Sequence, residues 1–377
     1  MVDTFYIKSL TRRNFLKRSL KTLAVSGAVM GYESIIGCAP VLKEGTQDVL
    51  DQKWEANSII PVPKEGCYTG LSKFSPQISI EDYERNISRF IEEYTDQILK
   101  PPSIYAVSAT FVLRCSNENF PTYRCVATNS KKAIPLIKYQ VEPFRNFEEI
   151  TAGKFDKEIK EFAVKAKEYG RPYFFVPFAE ANSEKVTGVP FGSQSPNKFK
   201  EAFAYMHRIF RELGANQNTL WVASFYGTHG GHTLHVIPFH TFYPGDEYVD
   251  WIGFVVHNKT AFTPYFDFYY LFEDDYNWVR KNHPSKSIIL VEFGKTNDWN
   301  QPRWIRLAFK AMKEKFPAVK AFLWWDISMR EGGNLFDQGF SRNPKSIMEI
   351  QKALKDSYFL GSILSLEKKE QESSIFA

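Results

Sequence analysis

The chain is poor in the groups on which several kinds of chemistry depend. Its 377 residues hold four cysteines, and their spacings match no zinc motif. Cys115 and Cys125 could bridge in an oxidising compartment, but that would leave Cys67 over, and buried free thiols are the expected state. No glycine-rich phosphate loop follows the first apolar run, which argues against an open doubly wound sheet around a dinucleotide. No internal repeat recurs. Net charge is scarce once the N-terminus is set aside: of the formal +5, +4 lies before residue 38, and the remaining +1 leaves no footprint for nucleic acid. The uncharged stretch at residues 22–32 is too short to span a bilayer core of about 30 Å as a stable anchor.

Apolar content and aromatic rings are plentiful: 44% of residues are hydrophobic and 16% aromatic. That suffices for a large core. Flat rings serve either packing or stacking against sugars or bases, and composition does not choose between them. The N-terminus has an order of its own: TRRNFLK at 11–17, the uncharged stretch, then IIGCAP around Cys38. It resembles a twin-arginine export signal with a lipoprotein cleavage box, a basic amphipathic helix being the alternative. On that resemblance residues 1–37 are a signal peptide, Cys38 is lipidated and holds the exported chain at a membrane, and 38–65 form a tether. Residues 66–357 are the folded domain and 358–377 a polar tail.

Within the domain, short apolar runs alternate with longer amphipathic segments, the pattern of repeated βα units. Strands are expected at GCYTG (66–70), IYAVSATFV (104–112), AIPLIKYQV (133–141), PYFFVPFA (172–179), TLWVASFY (219–226), VDWIGFVV (249–256), SIILVEFG (287–294) and VKAFLWWD (319–326). Helices are expected at 79–99, with Ser79 as cap, at 156–170 and 195–214, each ending on glycine, and at 303–317 before Pro317. Eight units over this length predict a single-domain α/β fold, a (β/α)8 TIM barrel.

Such barrels carry chemistry at the C-terminal ends of their strands. Two runs end on a carboxylate there, PYFFVPFAE at Glu180 and SIILVEFG at Glu292, on the fourth and seventh strands and so nearly across the mouth. Carboxyls about 5 to 5.5 Å apart suit double displacement at a glycosidic bond, one as nucleophile and the other as acid and then base. The plainer alternative pairs each with a rim cation. Phe174, Val176 and Phe178 precede Glu180 on its strand face and are expected to desolvate it. Tyr226, ending the fifth strand, is a candidate sugar contact or core.

Beyond these spacings, RPYFFVPFAEAN, FAYMHRIFRELGANQNTLWVASF, YPGDEYVDWIGF, KSIILVEFG and FPAVKAFLWWD are similar to segments of glycoside hydrolase family 26, a retaining, β-mannanase-like family of (β/α)8 barrels. The resemblance covers most of 66–330. It implies an endo-acting glycosidase cutting a β-linked polysaccharide without a cofactor or metal, with Glu180 as acid/base and Glu292 as nucleophile. Asn182, His257, Trp324 and Trp325 fall among its sugar-lining positions, and since adjacent strand residues face opposite ways, Trp325 is favoured for the mouth. Two departures bear on the sugar rather than on the carboxylates: Ala179 stands where the family has His before the acid/base, and SEKVTGVPFGSQ lacks a Trp that the family carries there.

His229, His232, His235 and His240 gather after the fifth strand, as a sugar-contacting loop, plain loop histidines or a metal site. Asp250 opens the sixth strand, on the face where barrels keep stability rather than chemistry. Two rival functions stand beside the glycosidase: a non-catalytic glycan-binding or envelope-polysaccharide scaffold barrel, and a metal hydrolase using the histidine loop.

Overall fold

The computed structural model describes residues 60–73, 80–108, 133–139, 146–182, 195–229, 237–259, 266–331 and 334–361. The expected signal peptide, Cys38, most of the tether, Cys115, Cys125, His232, His235 and the tail from residue 362 lie outside them.

Eight parallel strands close into a barrel in chain order: β1 (Cys67–Ser72), β2 (Ile104–Ser108), β3 (Ile134–Tyr139), β4 (Tyr173–Pro177), β5 (Thr219–Tyr226), β6 (Trp251–Asn258), β7 (Ser287–Lys295) and β8 (Val319–Trp325), with β8 returning to β1. Among the described residues, helices α1 (Ile80–Ile98), α2 (Phe147–Thr151), α3 (Asp156–Tyr169), α4 (Pro196–Glu212), α5 (Phe268–Asn282) and α6 (Gln301–Glu314) lie between them. After β8 come an antiparallel hairpin, β9 (Ser328–Glu331) and β10 (Asn334–Asp337), then α7 (Pro344–Leu354) and a short strand β11 (Phe359–Leu360).

Each expected strand is present. The sixth begins at Trp251 rather than residue 249 because Asp250 exchanges bonds with Trp221, its Oδ2 accepting from Trp221 N at 2.7 Å and its N donating to Trp221 O at 2.9 Å. The barrel also extends past its expected limits. Ile60 sits in the interior cluster, and Phe359 and Leu360 pair with β1, so neither the end of the tether nor the start of the tail is free chain.

The helices form where apolar residues recur at helical spacing. In α3 Ile159, Phe162, Ala163, Ala166 and Tyr169 are buried, and Gly170 ends the helix at φ 65°, a left-handed conformation that glycine adopts without strain. In α4 Pro196 starts the first turn and Phe199, Phe203, Met206 and Phe210 face inward.

Two layers of core result. Inside the barrel, alternate strand residues such as Leu136, Phe174, Val176, Val222, Val255 and Leu323 meet. Between strands and helices lies the aromatic layer: Phe175 touches Trp221 and Phe210 with ring centroids 5.0 and 5.1 Å apart, and Phe162 lies 5.5 Å from Phe175. The many aromatic residues are spent mainly here, each contributing on the order of 1.5–3 kcal/mol on burial. Inner packing is close: a Cβ on Gly253 of β6 would come within 2.8 Å of a Val222 methyl and 3.1 Å of a Val291 methyl.

Candidate active site

Strand alternation decides which side chains reach the axis at the C-terminal mouth. On β3, Ile134 and Leu136 face in while Ile137 and Tyr139 face the helices, so Lys138 points inward. On β6, Trp251 and Val255 face in and Val256 faces out, which brings His257 to the mouth.

On β7 simple alternation fails. Ile289 and Val291 belong to the interior and Leu290 to the outer layer, so Glu292 would be expected to face the helices. Yet Phe293 also lies in the outer layer, three residues after Leu290. The pairing explains this: Phe254 is opposite Leu290, but Val255 is opposite Glu292, and on the other side Leu290 meets Phe322 while Phe293 meets Trp324. One extra residue is inserted, a β-bulge, and it turns both Val291 and Glu292 toward the axis.

Glu292 is thus buried, 8% exposed, between two partners. Lys138, 5% exposed, forms an ion pair and hydrogen bond from its Nζ to Oε1, and His257 Nε2 donates to Oε2 at 3.0 Å. Burial pushes the Glu292 carboxyl up, but the Lys138 ammonium and the bonds from His257 and Lys138 outweigh it and hold the group well below the usual carboxylate range. The group is therefore an ionised carboxylate at neutral pH.

Trp325 ends β8 at the same mouth, its indole 4.9 Å from the His257 ring and 6.0 Å from the Lys259 ammonium. Trp324 does not join it: it lies in the outer layer, packs against Phe293 and Phe340, and donates Nε1–H to Gln338 O at 3.1 Å. Its expected place in the sugar site is corrected by the same alternation that brings Trp325 in.

Glu180 stands in a turn just past β4, 6% exposed, with N donating to Ser224 O of β5 at 3.2 Å. Phe178 and Glu180 adopt positive φ, 54° and 62°, in the region that costs a non-glycine residue roughly 1–2 kcal/mol. This break in alternation corrects one expectation: Phe174 and Val176 face the interior, but Phe178 turns outward onto Phe147 and Phe199, and Ala179 packs against the inner cluster instead. Asn182 secures the turn. Its Oδ1 accepts from Tyr226 N at 2.9 Å, and its Nδ2 donates to Tyr226 O at 3.1 Å and Ile237 O at 3.0 Å. With both amide hydrogens so engaged, Asn182 ties the Glu180 turn to the end of β5 rather than presenting a donor to the mouth. Tyr226 is buried with the interior cluster.

The two described histidines of the loop after β5 diverge. His229 Nε2 meets Asp274 Oδ2 of α5 at 2.9 Å, while His240 stacks on Trp278, with centroids 5.2 Å apart. Among the described residues no group of three His, Cys, Asp or Glu side chains is arranged to hold a metal ion.

Lys138 escaped sequence reasoning. Its signal was a single cation inside the apolar run AIPLIKYQV, close to a strand end.

No protein-family model matches the chain. Endoglucanase H of Acetivibrio thermocellus is 27% identical over 191 residues, covering 49% of this chain and 21% of that protein, so the chain matches about a fifth of that relative's length. Three solved structures are similar throughout the barrel. The Bacillus subtilis mannanase BCman has a TM-score of 0.55 at 17% identity, over 85% of this chain and 93% of its own. The GH26 endo-beta-1,4-mannanase catalytic domain of Bacillus sp. JAMB-750 gives 0.55 at 15%, over 78% and 87%. A double mutant of the Cellulomonas fimi endo-beta-1,4-mannanase gives 0.58 at 14%, over 78% and 72%. At these identities the likeness is one of architecture: the chain folds as the (β/α)8 barrel that GH26 mannanases also use.

Proposed function

We propose that the chain is a retaining, endo-acting glycoside hydrolase of family 26 type that cuts a β-linked polysaccharide, either mannan or another β-glycan. The observation that carries this reading is Glu292: a bulge turns it into the barrel mouth, and Lys138 and His257 keep it ionised there. Glu180, in a strained turn at the end of β4, supplies the second carboxyl. The solved structures of the same fold are named mannanases, and the relative matched over 49% of this chain is named an endoglucanase, which agrees with this chemistry.

In the proposed reaction a Glu292 oxygen attacks the anomeric carbon as the glycosidic bond breaks, and the departing oxygen takes its electron pair and a proton from Glu180. Glu180, now a carboxylate, removes a proton from water. That water displaces Glu292 from the same carbon, with net retention. Lys138 and His257 act on Glu292 itself, fixing its orientation and holding its charge. Because they stabilise the carboxylate, they slow its attack and ease its departure from the glycosyl-enzyme.

Reducing-end release from mannan, xylan and β-glucan tests the reading. Turnover on at least one polysaccharide, abolished in both Glu180→Ala and Glu292→Ala, supports it. Product of unchanged anomeric configuration by proton NMR supports retention. Binding without turnover would make the chain a glycan-binding barrel instead.

We also propose that the chain leaves the cytoplasm by the twin-arginine route and is anchored through Cys38. Incorporation of an alkynyl fatty acid in vivo, lost in Cys38→Ala, tests the anchor.

A further inference from the structure

Gln338 follows β10, and neither a motif nor the catalytic scheme drew on it. Its side chain is fully buried, 0% exposed, yet neither Oε1 nor Nε2 has a hydrogen-bond partner among the described residues. Buried carboxamides are almost always paired, because taking one donor and one acceptor out of water unpaired is costly. The backbone of the residue is not free to shift and relieve this: its N donates to Ile327 O at 2.9 Å and its O accepts from Trp324 Nε1 at 3.1 Å.

Gly294 locates the amide. A Cβ on Gly294 would lie 2.7 Å from Gln338 Oε1. Gly294 follows Phe293, which faces the helices, so that Cβ would point toward the axis, and in register it sits opposite His257. The Gln338 amide therefore lies on the axis side of β7, one inward position beyond Glu292, beside the rung that carries His257. The absence of a side chain at Gly294 is what makes room for it.

We propose that the Gln338 carboxamide is a substrate-binding, specificity-determining group of this mouth, taking a sugar residue through two adjacent free hydroxyls on the Glu292 side of the cleaved bond. Nε2 donates to one oxygen, and Oε1 accepts from the hydroxyl of its neighbour. A glycan in which either hydroxyl is acylated or methylated is refused. The inference rests on the glycosidase reading but concerns a residue that the reading does not use.

Mannohexaose, cellohexaose and xylohexaose serve as probes, with wild type, Gln338→Met and Gly294→Ala. Gln338→Met keeps the length of the side chain and removes both polar atoms; Gly294→Ala leaves Gln338 in place and pushes its amide aside. On the hexasaccharide that wild type cleaves best, both variants should lose at least about tenfold in kcat/KM, since a site built to pair a hydroxyl discriminates strongly when that pairing is removed. The melting temperature of Gln338→Met should equal or exceed that of wild type, because an unpaired buried amide replaced by an apolar side chain of similar shape sheds an unmet polar demand. A purely structural amide predicts the reverse, a lower melting temperature with unchanged kinetics. A Gln338→Met variant that matches wild type in kcat/KM overturns this inference and leaves the glycosidase reading standing. Wild type that binds a hexasaccharide in calorimetric titration without cleaving it, with binding at least about tenfold weaker in Gln338→Met, removes the glycosidase reading and keeps the amide site. Unchanged binding in that case, or a wild type that neither binds nor cleaves any of the three, overturns the inference.

Discussion

Replacing Lys138 with Met removes the cation beside Glu292 and keeps most of the side chain's volume. Both partners are buried, so the carboxylate left behind faces a desolvation cost with only the His257 bond to offset it. Breaking a buried pair in this way costs about 3–5 kcal/mol if the charge is kept. The group can instead take up a proton, and an adjacent cation alone typically accounts for about 1–3 pKa units. The acidic limb of the kcat/KM profile, set by the ionisation of Glu292, should therefore move up by about 2 units, with turnover at neutral pH reduced. The pH dependence of stability should flatten. In wild type the Glu292 carboxyl is held below its unfolded value, so its contribution is present above that value and is lost as pH falls through the lower folded one. In Lys138→Met a rise of about 2 units brings the folded value close to the unfolded one, so this group's contribution to the pH dependence should largely disappear. Chemical denaturation from pH 3 to 8, alongside the pH–rate profile, reads both effects. A double variant, Lys138→Met with Glu292→Gln, should regain most of the lost stability while staying inactive, because no charge is then buried alone. An acidic limb that stays in place with wild-type stability across the range would refute the reasoning.

Other outcomes follow from the same geometry. Asp275 on α5 holds the segment after β5, accepting from Thr228 N at 2.8 Å and from Thr228 Oγ1 at 2.5 Å, and burial pushes its carboxyl up to about 6 against those bonds. Folded-state stability should thus fall by roughly 3 kcal/mol as pH rises from about 4 to about 6, a slope lost in Asp275→Asn and read by denaturant titration. Trp324→Ala should cost about 3–5 kcal/mol of stability with KM unchanged, whereas Trp325→Ala should raise KM with a smaller loss of stability. Glu180→Gly should abolish turnover yet fold with stability within about 1 kcal/mol of wild type, since glycine relieves the positive φ at that position.

The barrel was legible because each strand is a short apolar run closed by a turn residue, and both glutamates stood out as charges interrupting such runs. What alternation could give, it gave: one tryptophan of the pair had to face the helices, and that one is Trp324. What it could not give were the places where alternation breaks. Nothing in the letters LVEF announces an inserted residue, because a bulge is defined by what lies opposite it on β6 and β8. The same holds for the turn at Phe178, where positive φ reverses the expected facing of a phenylalanine. The family resemblance puts Asn182 among the sugar-lining positions, but its amide is committed to the backbone of a neighbouring strand and loop, a relation visible only once those are in place. Lys138 could have been found, as the one cation inside a run of apolar residues.

The bulge at Val291 also divides β7 into two segments that answer to different demands. Up to Val291 the strand keeps the phase of its neighbours and fills the interior, with Val291 lodged over the bare face of Gly253. After it the strand is again in step with β6, Glu292 opposite Val255 and Gly294 opposite His257, and every inward position belongs to the mouth. Removing the one extra residue, Val291, would leave the hydrogen-bonded ladder continuous with Glu292 still opposite Val255 and Gly294 still opposite His257, both facing the axis, and would take away the side chain that covers Gly253. The insertion therefore gives one strand an extra inward position, so that Val291 fills the interior while Glu292 keeps its place at the mouth, and a deletion of that one codon would loosen the barrel before it moved the carboxylate.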